Sequence, residues 1–191
     1  VYGKADIHDN AKVYGNAKVY GKADVCGNAK VYEITRIYSE AKIHGNAEVY
    51  GKAKIYGKAK VAGDAKVYDN AKVYGSAEVY SNAKIYNCAR VYGHATIYGS
   101  AEIYDCASVS EKANIHGNAK IYDEACVYGK ADIYDNTKIY DNACIYDKAD
   151  IYDNARIYDE AEIYGKAGIH GNTEVCGKVK ICGYSHNVTL N

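Results

Sequence analysis

Counting from Val1, every sixth residue through Ile181 is Val or Ile, 31 times in 31, with no insertion or deletion. Four residues after each comes a small side chain, Ala in 26 hexads and Thr35, Thr137, Thr173, Val179 or Ser185 in the rest. Tyr follows the aliphatic residue in 22 hexads; the third position is mostly Gly or Asp, the fourth mostly Lys or Asn, and the sixth charged or polar. A period of six does not match a helix, whose apolar positions recur every three to four residues. Ala-x-[Val/Ile]-Tyr instead reads as a short strand with alternating faces, small and aliphatic groups inward, charge and Tyr outward. The Gly-Asn, Gly-Lys and Asp-Asn pairs that follow are turn chemistry, because Gly and Asn tolerate positive φ and Asp bonds its own backbone. One hexad has too few apolar atoms to fold alone, so its neighbours must complete the core.

The exceptions to the pattern give the number of hexads per coil. Cys88 and Cys106 are 18 residues apart, as are Cys126 and Cys144. When the second-position residues are sorted into three columns, His8, His44, His116 and His170 fall together, and Tyr14, Tyr32, Tyr50, Tyr68, Tyr86, Tyr104, Tyr122, Tyr140 and Tyr158 form an unbroken run. Three hexads per coil predict an all-β triangular solenoid of about ten coils, roughly 50 Å long at a strand spacing of ~4.8 Å.

The unit Val-Tyr-Gly-Lys-Ala-Lys resembles the hexapeptide repeat of left-handed parallel β-helices, which has an aliphatic residue, usually a small or acidic one, two variable positions, a small residue and a variable one. The resemblance covers residues 1 to about 186 as a single domain, leaving 187–191 as a tail. Tyr replaces the usual second-position residue, so the exterior departs while the interior conforms. Left-handedness is what the resemblance implies. That family includes acyltransferases and γ-class carbonic anhydrases, whose sites are built by loops interrupting the coils or by His residues meeting a metal between subunits. This chain has no insertion loop, its column histidines are two to four coils apart, and His94 stands outside their column. Catalysis and a cofactor are therefore not expected. An ice-binding solenoid would need regular Thr rows, and the five Thr residues are scattered.

Composition sharpens the picture. Without Pro, Met, Trp, Phe or Gln, and with Leu190 the only Leu, the chain has no varied shapes with which to fill an irregular core. No apolar run approaches the roughly 20 residues of a membrane helix. The missing initiator Met suggests a processed or partial chain, and the compartment stays open, with an extracellular, cell-surface or virion-surface setting the expectation. Net charge is zero but uneven: residues 1–95 carry 15 Lys/Arg against 9 Asp/Glu, and residues 96–191 carry 9 against 15. Opposed charge along a rod favours head-to-tail encounter. Open coils at its ends would expose unpaired backbone groups that invite another chain to add on.

Four sets of residues are candidate sites. The unbroken Tyr column is a candidate assembly or ligand face, since so large an aromatic surface is seldom left uncovered. Lys18, Arg36, Lys54, Lys72 and Arg90 recur coil after coil, a basic stripe read here as lying just before that Tyr column and suited to an acidic polysaccharide. Asp105, Asp123, Asp141 and Asp159 stack at a turn; such carboxylates raise their pKa values or hold a cation, and Ca²⁺ suits oxygen ligands. Turn-residue preference explains the same row. Cys88–Cys106 and Cys126–Cys144 are candidate disulfides, since residues on neighbouring strands lie within Cα range of a bridge, although parallel side-chain directions strain it and stacked free thiols are the alternative. Cys26, Cys176 and Cys182 lack such partners, and no CxxC zinc pattern occurs. Asn187-Val188-Thr189 is a glycosylation sequon. The expected role is structural, a rod or fibre segment whose partner is itself. Binding of an acidic glycan is the alternative, and nucleic acid is not favoured.

Overall fold

The computed structural model describes residues 1–183; the tail at 187–191, its sequon and the end of the last hexad lie outside the described residues. Each hexad contributes one strand, most of them two residues long and made of the sixth-position residue and the next aliphatic one. The 31 strands form three parallel sheets of 11, 10 and 10, and each strand pairs with those three before and three after it. Lys54–Ile55 thus lies between Arg36–Ile37 and Lys72–Val73, and the 18-residue register holds throughout. Among the described residues no helix is long and apolar enough to cross a membrane.

Coils are tied by bonds that repeat with the hexad: Lys54 N–H donates to the Ala71 carbonyl at 3.0 Å and Tyr56 N–H to Val73 at 3.1 Å. At many corners the small fifth residue closes the turn, as where Ala71 N–H donates to the Tyr68 carbonyl at 3.2 Å. The third residue of every hexad has positive φ, whether it is Gly or one of 14 others, chiefly Asp. This left-handed conformation is free to Gly and tolerated by Asp and Asn, which explains the third-position alphabet.

The interior is a single column of Val, Ile and Ala, with zero solvent exposure from Val19 through most of the rod. Thr35 and Thr137 occupy Ala positions without leaving a polar orphan, because each hydroxyl donates to a turn carbonyl, Tyr32 and Tyr134 respectively, at 2.7 Å. Outside, Asn side chains at the fourth position link coils as amide ladders: Asn28 donates to Asn46 at 3.0 Å, and Asn46 to Asp64 at 2.9 Å.

Candidate functional site

Because side chains at equivalent positions of successive coils stand one strand spacing apart, chemistry on this surface is arranged in rows. The predicted Tyr column is continuous from Tyr14 to Tyr158, with ring centroids 4.9–5.0 Å apart and planes within 6° of parallel. Burial, followed by neighbouring carboxylates and phenols, pushes the pKa of Tyr32, Tyr68 and Tyr122 up to about 12. A second ladder runs through Tyr20, Tyr38, Tyr56, Tyr74 and Tyr92 at 4.8–5.0 Å, stops at Ser110, and resumes at Tyr128. In the third, His116 stacks between Tyr98 at 4.7 Å and Tyr134 at 5.0 Å, and His170 stacks on Tyr152 at 5.1 Å, so two of the four histidines treated in sequence as exceptions are members of an aromatic row. The signal was their shared column; what it meant needed the ring geometry.

The basic stripe corrects one reading. Lys18, Arg36, Lys54, Lys72 and Arg90 do lie in register, but their sheet carries the second ladder, Tyr20 to Tyr92, and not the unbroken column. Lys54 directly precedes Ile55 and Tyr56, whereas Tyr50 is across a corner, on the preceding sheet. Among the described residues, none of these five cations makes an ion pair. The contrast is with the row Lys30, Glu48, Lys66, Lys84, Glu102, Lys120 on the neighbouring sheet. There Glu48 is held by Lys30 at 2.9 Å and Lys66 at 3.3 Å, and Glu102 by Lys84 at 3.0 Å and Lys120 at 3.3 Å. The Lys30 ammonium, first among the causes, holds the Glu48 carboxyl below its ordinary pKa. A groove runs beside the basic stripe along the corner, walled by Ile34, Lys52, Asn70 and Cys88. Ile34 is 50% exposed, an apolar side chain at a turn position that elsewhere is mostly polar.

Asp105, Asp123, Asp141 and Asp159 are brought together along one corner, all at positive φ. Asp123 and Asp141 each accept from the N–H of the Asp one coil on, at 3.3 Å, and Asp159 from Gly177 N–H at 2.9 Å. Asp105 accepts from the Asn87 amide at 2.7 Å. Asp123, Asp141 and Asp159 thus act as acceptors that satisfy the next turn, while Asp105 accepts from a side chain of the coil before it. The described residues that could converge on a cation are instead His8, Asp24 and Cys26, whose ligand atoms lie within 4.8 Å of one another. His8 sits between two carboxylates, Nδ1 at 3.3 Å from Asp9 and Nε2 at 3.2 Å from Asp24, and Asp9 is the main cause of its raised pKa.

The two cysteine pairs differ. Cys126 and Cys144 are disulfide-bonded, with Cα atoms 4.8 Å apart on strands the sheet holds in register. Cys88 and Cys106 are free and exposed at turn positions, and burial followed by the Cys88 thiol raises the Cys106 pKa.

Comparison with known proteins bears on the fold. Residues 89–105 match the family model described as YdcK Beta solenoid repeat. Among solved structures, a UDP-N-acetylglucosamine acyltransferase from Arabidopsis is similar, with a TM-score of 0.60 at 14% identity over 95% of this chain and 70% of that one. No match was found among curated proteins. At that identity the likeness concerns architecture alone. Taken with the 18-residue coil and three parallel sheets, both likenesses fit the hexapeptide-repeat left-handed β-helix, and this is the fold of the chain.

Proposed function

We propose that the protein is a non-catalytic structural rod that associates end to end with copies of itself. The observation that carries this reading is the uniform register. Each coil pairs with the next through the same 18-residue offset, so a coil edge, wherever the rod ends, matches in pattern the edge it would meet on another copy. An unpaired parallel edge of this kind is a template for strand addition. The opposed charge of the two halves supports head-to-tail over head-to-head docking.

The test is sedimentation velocity with electron microscopy over a range of protein concentrations, in dilute and in concentrated salt. Linear filaments that lengthen with concentration and shorten in salt support the proposal. A monomer at every concentration overturns it.

A further inference from the structure

Cross-strand neighbours of opposite charge stabilise a sheet, and like charges directly opposite destabilise it. On the neighbouring sheet this chain follows the rule in part: Glu48, Glu102 and Glu174 interrupt the cations, in contact with Lys30, Lys66, Lys84, Lys120 and Arg156, and like charges there run for at most three coils, at Lys120, Lys138 and Arg156. The row Lys18, Arg36, Lys54, Lys72 and Arg90 breaks it over five consecutive coils, with no acidic residue in the row and no ion pair among the described residues. Nothing in the fold calls for this. The sixth position accepts Ser108, Cys126, Cys144 and Glu162 in the same column further along.

We propose that this face binds a linear acidic polysaccharide lying along the rod axis, its carboxylates or sulfates set against the cation row. The row is straight, offers one cation per coil, and extends about 20 Å at the ordinary strand spacing. Its two walls differ in a way that selects sugar over nucleic acid. On one side the rings of Tyr20, Tyr38, Tyr56, Tyr74 and Tyr92 stack on each other at 4.8–5.0 Å, within 6° of parallel. Single-stranded nucleic acids are held by stacking bases on aromatic faces. Inside this ladder both faces of each ring are already covered, so edges and hydroxyls remain, which suit the hydroxyls of a sugar. On the other side Lys52 and Asn70 add a cation and an amide. Arg90 lies close enough to the ladder for its charge to act on Tyr56 and Tyr74.

The experiment is calorimetric titration of the full chain with polygalacturonate, a heparin-type sulfated glycan, neutral dextran and an oligothymidylate, in dilute and in concentrated salt. Sedimentation run in parallel separates binding from assembly. At least one acidic glycan should bind in dilute salt and be released in concentrated salt, while dextran does not bind. Lys54→Glu with Lys72→Glu should weaken binding at least tenfold, and Lys54→Gln with Lys72→Gln should weaken it less. Glu48→Lys, which builds a comparable cation row beside the unbroken Tyr column, should create a second binding face. Failure of both acidic glycans to bind, unchanged affinity in the Lys54→Glu/Lys72→Glu variant, or oligothymidylate binding tighter than either glycan would each overturn the proposal.

Discussion

The single substitution Lys54→Glu should make the protein more stable and, on the binding proposal, weaker for its ligand. Lys54 is paired in register with Arg36 and Lys72. A carboxylate there would be flanked by two cations, the arrangement that surrounds Glu48, where Lys30 and Lys66 approach to 2.9 and 3.3 Å. Each cross-strand charge pair contributes roughly 0.2–1 kcal/mol, and each like-charge contact removed adds a similar small amount. Exposure limits the gain: in the neutralised row the Lys side chains remain 45–47% exposed, so the pairs act in high dielectric. Two contacts therefore give about 0.5–2 kcal/mol, and a chain of this size shifts its melting midpoint by roughly 2–4 °C per kcal/mol.

The assay is thermal denaturation followed by circular dichroism, comparing midpoints because a repeat rod need not melt in one step. Glu48→Lys is the mirror experiment, since it turns a neutralised row into a like-charged one and should lower the midpoint by a comparable amount. Both shifts should nearly vanish in 1 M salt, where the screening length falls to ~3 Å. A Lys54→Glu midpoint equal to or below that of the parent in dilute salt would refute the reasoning. A shift of unchanged size in 1 M salt would also refute it.

Four further outcomes can be checked. Tyr32, Tyr68, Tyr122 and Tyr134 have pKa values raised by burial to about 12, so stability present below pH 10 should be lost as pH rises towards 12, with phenolate absorbance appearing late and together with unfolding. Gly57→Ala and Gly171→Ala both force a side chain into positive φ, costing ~1–2 kcal/mol, but only at Gly57 would the new Cβ sit 2.7 Å from a backbone oxygen, that of Gly75, so Gly57→Ala should cost distinctly more in a melting assay. Thiol titration of the unreduced native protein should count five free cysteines, and seven after reduction. The His8 imidazole should titrate above 6.5 by NMR, and Asp9→Asn should lower its midpoint; its contribution to stability is present below 6.5 and lost as pH rises through the raised value.

The interior was legible because it is the one thing that never varies. A strict six-residue period locates every strand, and the 18-residue spacing of Cys126 and Cys144 gives the coil and a bridge between strand residues in register. Cys88 and Cys106 share that spacing yet stay free: they occupy turns that are held in the same register, with the two thiols near enough to interact, so spacing alone does not distinguish them from the bonded pair. The basic stripe was misplaced for a related reason. Nearness in sequence does not survive a corner: Tyr50 and Lys54 are four residues apart but belong to different sheets, while Lys54 and Tyr56 share one. The Asp row was visible as a row, but its acceptor function was not. Asp123 and Asp141 bond backbone N–H groups, and sorting side chains into columns does not reveal a backbone partner.

The charge asymmetry between the two halves therefore has two different origins. In the acidic half, eight of the fifteen Asp and Glu residues stand at third positions, all at positive φ. At five of these eight, Asp123, Asp141, Asp147, Asp153 and Asp159, strain in the left-handed region is offset by a bond to the next turn, as at Asp147 with Gly165 and Asp153 with Gly171. Acidity at the corners is thus a product of turn chemistry and would arise in a rod with no partner at all. The basic half has no such account. Lys18, Arg36, Lys54, Lys72 and Arg90 lie on strands, where the same chain shows that Ser, Cys or Glu folds as well and that interleaved Glu would remove the repulsion. A row that works against its own sheet, on the face whose aromatic edges and corner groove are both open, is where selection for something other than folding would leave its mark. The end-to-end reading needs the uniform register and draws from charge only the net asymmetry; the glycan reading needs this row in particular, so substitutions within it separate the two.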